Sequence, residues 1–149
     1  MGRHTSILYQ IVYSTKHRTP CLQKEVRPRI FQHLHGILQN KKCRTYRING
    51  VEDHLHILID LHPTIALSNL IKDLKLGSSA FIKAENLIDN FSGWQVGYGA
   101  FTYSRDAKHH LIEYIKNQEQ HHQKYTFKKE YIGLLEEHQV EYDVRYVFE

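Results

Sequence analysis

Residues 54–61 read His-Leu-His-Ile-Leu-Ile-Asp-Leu, and no other run in the 149-residue chain constrains the fold as tightly. Successive side chains of a strand point to opposite faces. Leu55, Ile57, Ile59 and Leu61 therefore form one wholly apolar face that must cover a core, while His54, His56, Leu58 and Asp60 share the other. Two imidazoles then stand side by side, with Cβ atoms about 7 Å apart by strand geometry. Neither face reads as ordinary solvated surface.

The segments around this strand fix its setting. Residues 6–14 (SILYQIVYS) are β-branched and aromatic and read as an opening strand. Val26, Ile30, Leu34, Ile37 and Leu38 recur at helical spacing over residues 25–39, with Pro28 tolerable only in the first turn. Residues 44–48 form a short strand, and Asn49-Gly50 is a hairpin signal leading into the His54 run. Leu67, Leu70, Ile71 and Leu74 mark a second helix, extended or broken at Gly77 and reaching Ile82. Residues 95–103 read as a fourth strand, 106–122 as a third helix, 127–138 as a fourth helix, and the alternating tail from Val140 to Phe148 as a strand or extended clamp. The order β-α-β-β-α-β is the split arrangement of ferredoxin-like and RNA-recognition folds. The expected class is α+β: a four-stranded antiparallel sheet with additional C-terminal helices, in one domain spanning 1–149 (core about 5–104, helix about 106–122, C-terminal helix and tail about 127–149). The His54 strand falls at the sheet centre, with the later helices arriving to cover its imidazoles.

Composition narrows the classes of function. An apolar share of 41% supports a real core and excludes a disordered linker. Two cysteines, Cys21 and Cys43, cannot build a disulfide scaffold or a four-thiolate zinc site. No apolar run approaches the roughly 18 residues of a membrane span, and the start lacks a signal-peptide core, so a cytoplasmic protein is expected. Twenty Lys+Arg against 16 Asp+Glu give a net charge of +4, a mild lean toward an anionic partner, nucleic acid before membrane.

Two constellations carry possible chemistry. A divalent ion can bridge His54 and His56, with Asp53 and Asp60 as oxygen donors nearby. The second is Tyr114-Ile115-Lys116-Asn117-Gln118, where a helix stacks Tyr114 over Gln118. Both share a broad stripe with Ala107, Leu111, Ile115 and His122, so the phenol and amide face the protein. Other features are weaker. Gly97-Tyr98-Gly99 lacks the third glycine and the strand-to-helix setting of a phosphate loop. Adjacent helical residues point about 100° apart, so His109-His110 and His121-His122 chelate poorly as pairs and read as surface or polyanion-contacting groups. Lys16, Arg18, Lys72, Lys75 and Lys83 are candidates to follow a phosphate backbone.

Taken in order, these pieces resemble the single-tyrosine HUH transposases of the smallest bacterial insertion sequences, the TnpA type. The His-hydrophobic-His signature is His54-Leu55-His56, and its partner is the Tyr-x-x-x-Gln helix of Tyr114 and Gln118. Ser14-Thr15-Lys16-His17-Arg18, Trp94-Gln95, residues 119–122 and Glu141-Tyr142-Asp143 extend the likeness over nearly the whole chain. The resemblance implies an HUH endonuclease that cuts and rejoins single-stranded DNA. Tyr114 would be the nucleophile of a 5′-phosphotyrosine intermediate, and His54, His56 and Gln118 the ligands of a divalent metal, Mg²⁺ or Mn²⁺. It further implies a homodimer acting on hairpins near the element ends, and no membrane partner. Two rival readings differ in class. A non-catalytic RNA-recognition-like module would need aromatics on the central strands where the His pair stands. A His-metal phosphodiesterase would not need Tyr114.

Overall fold

The computed structural model describes residues 2–148; Met1 and Glu149, ends of the expected 1–149 domain, lie outside the described residues. The elements run β1 (Leu8–Ser14), α1 (Arg27–Asn40), β2 (Arg44–Gly50), β3 (His54–Asp60), α2 (Leu67–Ala84), β4 (Gly99–Thr102), α3 (Lys108–Lys116), α4 (Gln118–His122) and α5 (Phe127–Glu137). The antiparallel sheet has the order β2-β3-β1-β4, so β3 is central as its two-faced sequence requires.

The alternation of β3 splits the molecule into two layers. Leu55, Ile57 and Ile59, with Ile11 and Tyr13 of β1, pack against Ile30, Leu34 and Leu38 of α1 and Leu70, Ile71, Leu74 and Ile82 of α2. Across the sheet two smaller apolar clusters form. Leu8 and Leu58 meet Leu111 and Ile115 of α3, while Val12 and Phe101 meet Phe127, Tyr131, Leu134 and Leu135 of α5. His54 and His56 lie between these clusters with no exposed surface. The face that a four-stranded split βαβ unit usually leaves open is here roofed by α3, α4 and α5.

Several expected boundaries move, each for a local reason. The fourth strand is only Gly99–Thr102, not 95–103. Upstream of it, Lys75 Nζ donates to Gln95 O at 2.8 Å and Gly97 O at 2.7 Å, and Gln95 N donates to Ser14 O, so that backbone is satisfied outside the ladder. Asn49 and Gly50 are not the hairpin turn but the end of β2; residues 51–53 turn instead, closed by Val51 N donating to His54 O. Neither Asn49 nor Gly50 has positive φ. Glycine is required at 50 by close approach, since a Cβ there would stand 2.4 Å from His54 O. Helix α2 runs unbroken through Gly77, where a Cβ would meet only the tip of Ile37 at 2.7 Å.

The expected helix 106–122 is a 3₁₀ turn, Arg105–Ala107, followed by α3 and α4 with a break at Asn117. Asn49 Nδ2 donates to Ile115 O at 3.0 Å and Lys116 O at 3.1 Å, taking the carbonyls that would otherwise carry the helix onward. The tail is not a strand. Asp143 O accepts from Tyr146 N and Val147 N, both at 3.0 Å, and its side chain accepts from Arg145, so the chain curls into a turn. Tyr142, Val147 and Phe148 then pack beside α5.

The two glycines predict a contrast. Gly50→Ala drives a methyl into backbone and should cost about 2–3 kcal/mol in urea unfolding. Gly77→Ala asks only a flexible side chain to shift while improving helix propensity, and should stay within about 1 kcal/mol of wild type. Equal effects would contradict the packing described here.

Candidate active site

The site forms where β3, β1, α3, α4 and α5 converge. Val12 pairs with His56 and Ser14 with His54, so β1 side chains of the same parity line the His face. Gln10 is among them: its Oε1 lies 2.8 Å from His56 Nδ1, while its Nε2 donates to the Tyr103 hydroxyl at 2.8 Å. Asp53, just ahead of β3, places Oδ1 2.7 Å from His54 Nδ1. Each imidazole is thus oriented from behind, leaving Nε2 directed at the interior, the usual arrangement behind a metal-ligating histidine.

In front of these nitrogens stands Glu130, from the first turn of α5. Its Oε1 lies 3.2 Å from His54 Nε2, 3.0 Å from His56 Nε2 and 3.0 Å from His122 Nε2. His54 Nε2 and His122 Nε2 are themselves 3.1 Å apart. One ligating atom from each of His54, His56, His122 and Glu130 falls within 4.8 Å of every other, so the group has the composition and spacing of a metal site. The second oxygen of Glu130 accepts from the Tyr114 hydroxyl and, at 3.3 Å, from Gln118 Nε2. The carbonyl oxygen of Gln118 is buried and has no hydrogen-bond partner among the described residues.

Burial and charge act in opposition here. Burial alone would raise the Glu130 carboxyl, but the hydrogen bonds from His122, His54 and His56 outweigh it and hold the group well below the usual carboxylate range. Burial also disfavours a charged His54, yet Asp53 and Glu130 prevail and raise it. For His56 burial wins and lowers it. The Tyr114 phenol is pushed up, first by burial and then by the Glu130 charge and hydrogen bond, so an unassisted phenolate is strongly disfavoured.

The expected site residues are placed as follows. His54, His56, Tyr114 and Gln118 come together around Glu130, across the break at Asn117. The α3–α4 unit is held to this sheet by Asn49, by Arg27 of α1, which donates to Gly50 O and lies 3.7 Å from Glu119, and by Arg105 just ahead of α3, which donates to Asp60 Oδ1 at 2.7 Å. Asp60 therefore anchors that link, with Tyr46 donating to it, and does not join the cluster. The reading of His121-His122 as surface groups is corrected. His122 Nε2 faces His54 and Glu130 Oε1, whereas His121 Nε2 turns to the Tyr114 hydroxyl and Glu130 Oε2, both at 3.3 Å. The divergence of adjacent helical residues holds, but it excludes chelation by the pair and not by one member. His109 and His110 are exposed.

Sequence reasoning passed over Glu130. No short-range spacing links it to the His pair, yet it occupies the same face of α5 as Phe127, Tyr131 and Leu134, and an acid on an apolar face was the available signal. The basic residues do not gather into one patch. Lys72 and Lys83 are exposed on α2, in the layer across the sheet from the His face. Lys75 is engaged with Gln95 and Gly97 and over the Tyr13 and Tyr98 rings, and burial lowers it to about 8. Lys16 and Arg18 follow β1; Arg18 lies over Phe148, which contacts Phe127, which in turn lies against His54.

The chain and its fold are similar to those of known proteins. The chain is similar to ISDra2 transposase TnpA of Deinococcus radiodurans, 26% identical over 116 residues that make up 74% of this chain and 82% of that protein. In solved structures it resembles a candidate transposase from Deinococcus radiodurans R1, with a TM-score of 0.61 and 22% identity over 79% of this chain and 96% of that one. It also resembles a REP-associated tyrosine transposase bound to a REP hairpin, with a TM-score of 0.58 and 11% identity over 78% of this chain and 72% of that one. These likenesses bear out the α+β fold. Residues 3–118, most of the chain, match the family profile described as "Transposase IS200 like", and the chain belongs to that transposase family.

Proposed function

We propose that this protein cleaves and rejoins single-stranded DNA at insertion-sequence ends by transesterification, with Tyr114 as nucleophile. The observation that supports it most is the contact between the Tyr114 hydroxyl and the carboxylate that also meets His54 and His56.

In this reading the Tyr114 oxygen attacks the phosphorus of a phosphodiester. The bond from phosphorus to the 3′ oxygen breaks, leaving a 5′-phosphotyrosine and a free 3′-OH. A 3′-OH later attacks the phosphotyrosine and returns the tyrosine. One ester is exchanged for another, so no nucleotide energy source is required. Glu130 Oε2 holds the phenol hydrogen before attack. His54 and His56 would hold a divalent ion, Mg²⁺ or Mn²⁺, which would neutralise and orient the scissile phosphate. Gln118 would be the third donor in the DNA-bound complex, through a carbonyl oxygen that has no partner among the described residues. Asp53 and Gln10 keep the imidazoles aimed.

Lys16 and Arg18 lie in the turn just after β1 and contact the DNA backbone in this reading; Lys72, Lys75 and Lys83 meet the strand only where it passes the helical layer. Among the described residues no helix is long and apolar enough to cross a membrane, and a DNA substrate places the work in the cytoplasm. The substrate is a strand that folds into a hairpin, as the REP-associated relative's bound hairpin suggests. The working unit is a homodimer, because joining two ends requires two nucleophiles held together and each chain supplies one.

Tyr114→Phe removes a single oxygen and should abolish strand cleavage while leaving the protein folded and DNA binding near wild type. Wild-type cleavage by this variant would favour a metal phosphodiesterase that does not use the tyrosine. Binding to a hairpin-forming single strand should fall steeply with salt, by counterion release, and should exceed binding to the matching duplex. Equal cleavage of both would contradict the substrate assignment. Light scattering of the DNA complex should give two protein chains; a strictly monomeric complex would refute the dimer.

A further inference from the structure

The family profile ends at Gln118, yet two of the groups in the centre, His122 and Glu130, lie beyond it. Their placement is best read from the hydrogen positions that their surroundings dictate. A carboxylate only accepts, so His54 Nδ1 donates to Asp53. Gln10 turns its Nε2 toward the Tyr103 hydroxyl and its Oε1 toward His56, so that oxygen accepts from His56 Nδ1. A neutral imidazole with hydrogen on Nδ1 presents only a lone pair at Nε2. In that neutral form both Nε2 atoms direct lone pairs at Glu130 Oε1, 3.2 and 3.0 Å away, and the contacts close only when a proton or a cation stands between them. His122 Nε2 approaches the same oxygen at 3.0 Å. Protons can meet these contacts only by charging His54 and His56 side by side in a buried site. A divalent cation among the four satisfies them all.

We propose that in the DNA-free protein a divalent transition-metal ion is bound by His54 Nε2, His56 Nε2, His122 Nε2 and Glu130 Oε1, so that the segment after Gln118 supplies half of the protein ligands. The proposal rests on the reading of the His pair as a metal site and extends it. Three imidazoles and one carboxylate suit Mn²⁺, Co²⁺, Ni²⁺ or Zn²⁺ far better than Mg²⁺, which favours oxygen ligands and retains its waters. Glu130 has a second part in this state. Its Oε2 holds Tyr114 and Gln118, so one carboxylate binds the ion and positions the nucleophile, and Gln118 acts through Glu130 until DNA arrives.

The test is a Co²⁺ titration of the metal-stripped, full-length protein without DNA, followed by visible absorption and equilibrium dialysis. Wild type should bind about one Co²⁺ per chain, with the intense absorption of four-coordinate Co²⁺, displaced by Zn²⁺ and not by excess Mg²⁺. His122→Ala and Glu130→Gln should each weaken binding at least about 100-fold, since loss of groups outside a coordination sphere already costs about 10–100-fold. Gln118→Ala, which removes only a partner of Glu130 Oε2, should weaken it less than either of these. Wild-type affinity in both His122→Ala and Glu130→Gln overturns the proposal. So does weak six-coordinate absorption in the wild type, a result that requires no variant to fold. If His54→Ala alone loses the ion, this proposal falls while the transposase reading stands; Tyr114→Phe cleavage tests that reading without reference to His122 or Glu130.

Discussion

A buried carboxylate organises this molecule. Placing Glu130 out of water costs several kcal/mol unless its oxygens are matched, and every element on one side of the sheet contributes to matching them. His54 and His56 come from β3, His122 and Gln118 from α4, and Tyr114 from α3. The same contacts hold α5 over the sheet and close the face that carries the imidazoles. Stability and chemistry are therefore coupled at one residue: a change at Glu130 would disturb the roof, the tyrosine and the His pair together.

The apolar half of the fold was legible because its signals are local. The alternation in β3 places Leu55, Ile57 and Ile59 on one core, and helical spacing in α1 and α2 supplies the residues that cover them. What escaped depended on partners distant in sequence. The break at Asn117 is imposed by Asn49 from another strand, and the shortened β4 by Lys75 from α2. The tail alternates like a strand but has Asp143 to turn it, and the turn prevails. Asn49-Gly50 carried a true signal with the wrong cause: glycine is needed for the approach of His54 O and not for a left-handed turn.

The site divides along the same line. His54 and His56 are adjacent on one strand, and Tyr114 and Gln118 are four apart on one helical path, so both pairs can be read locally. That the pairs meet is a tertiary fact. His122 continues the 114, 118 spacing and was visible on the same stripe, but its neighbour His121 made the two look like a surface pair. Glu130 sits across a loop, and only its place among Phe127, Tyr131 and Leu134 marks it as facing inward. Asp53 and Gln10 act behind the imidazoles, and β1–β3 register was needed to bring Gln10 to His56.

The central claim is that Tyr114 forms a covalent bond to DNA. The direct measurement is to incubate the protein and a divalent metal with a single-stranded, hairpin-forming element end, digest it, and locate the nucleotide-bearing peptide by mass spectrometry. The account predicts a 5′-phosphate adduct on Tyr114 and a released strand ending in a 3′-OH. An adduct on another tyrosine, or cleavage with the 5′-phosphate free in solution and no adduct at any time, would contradict it.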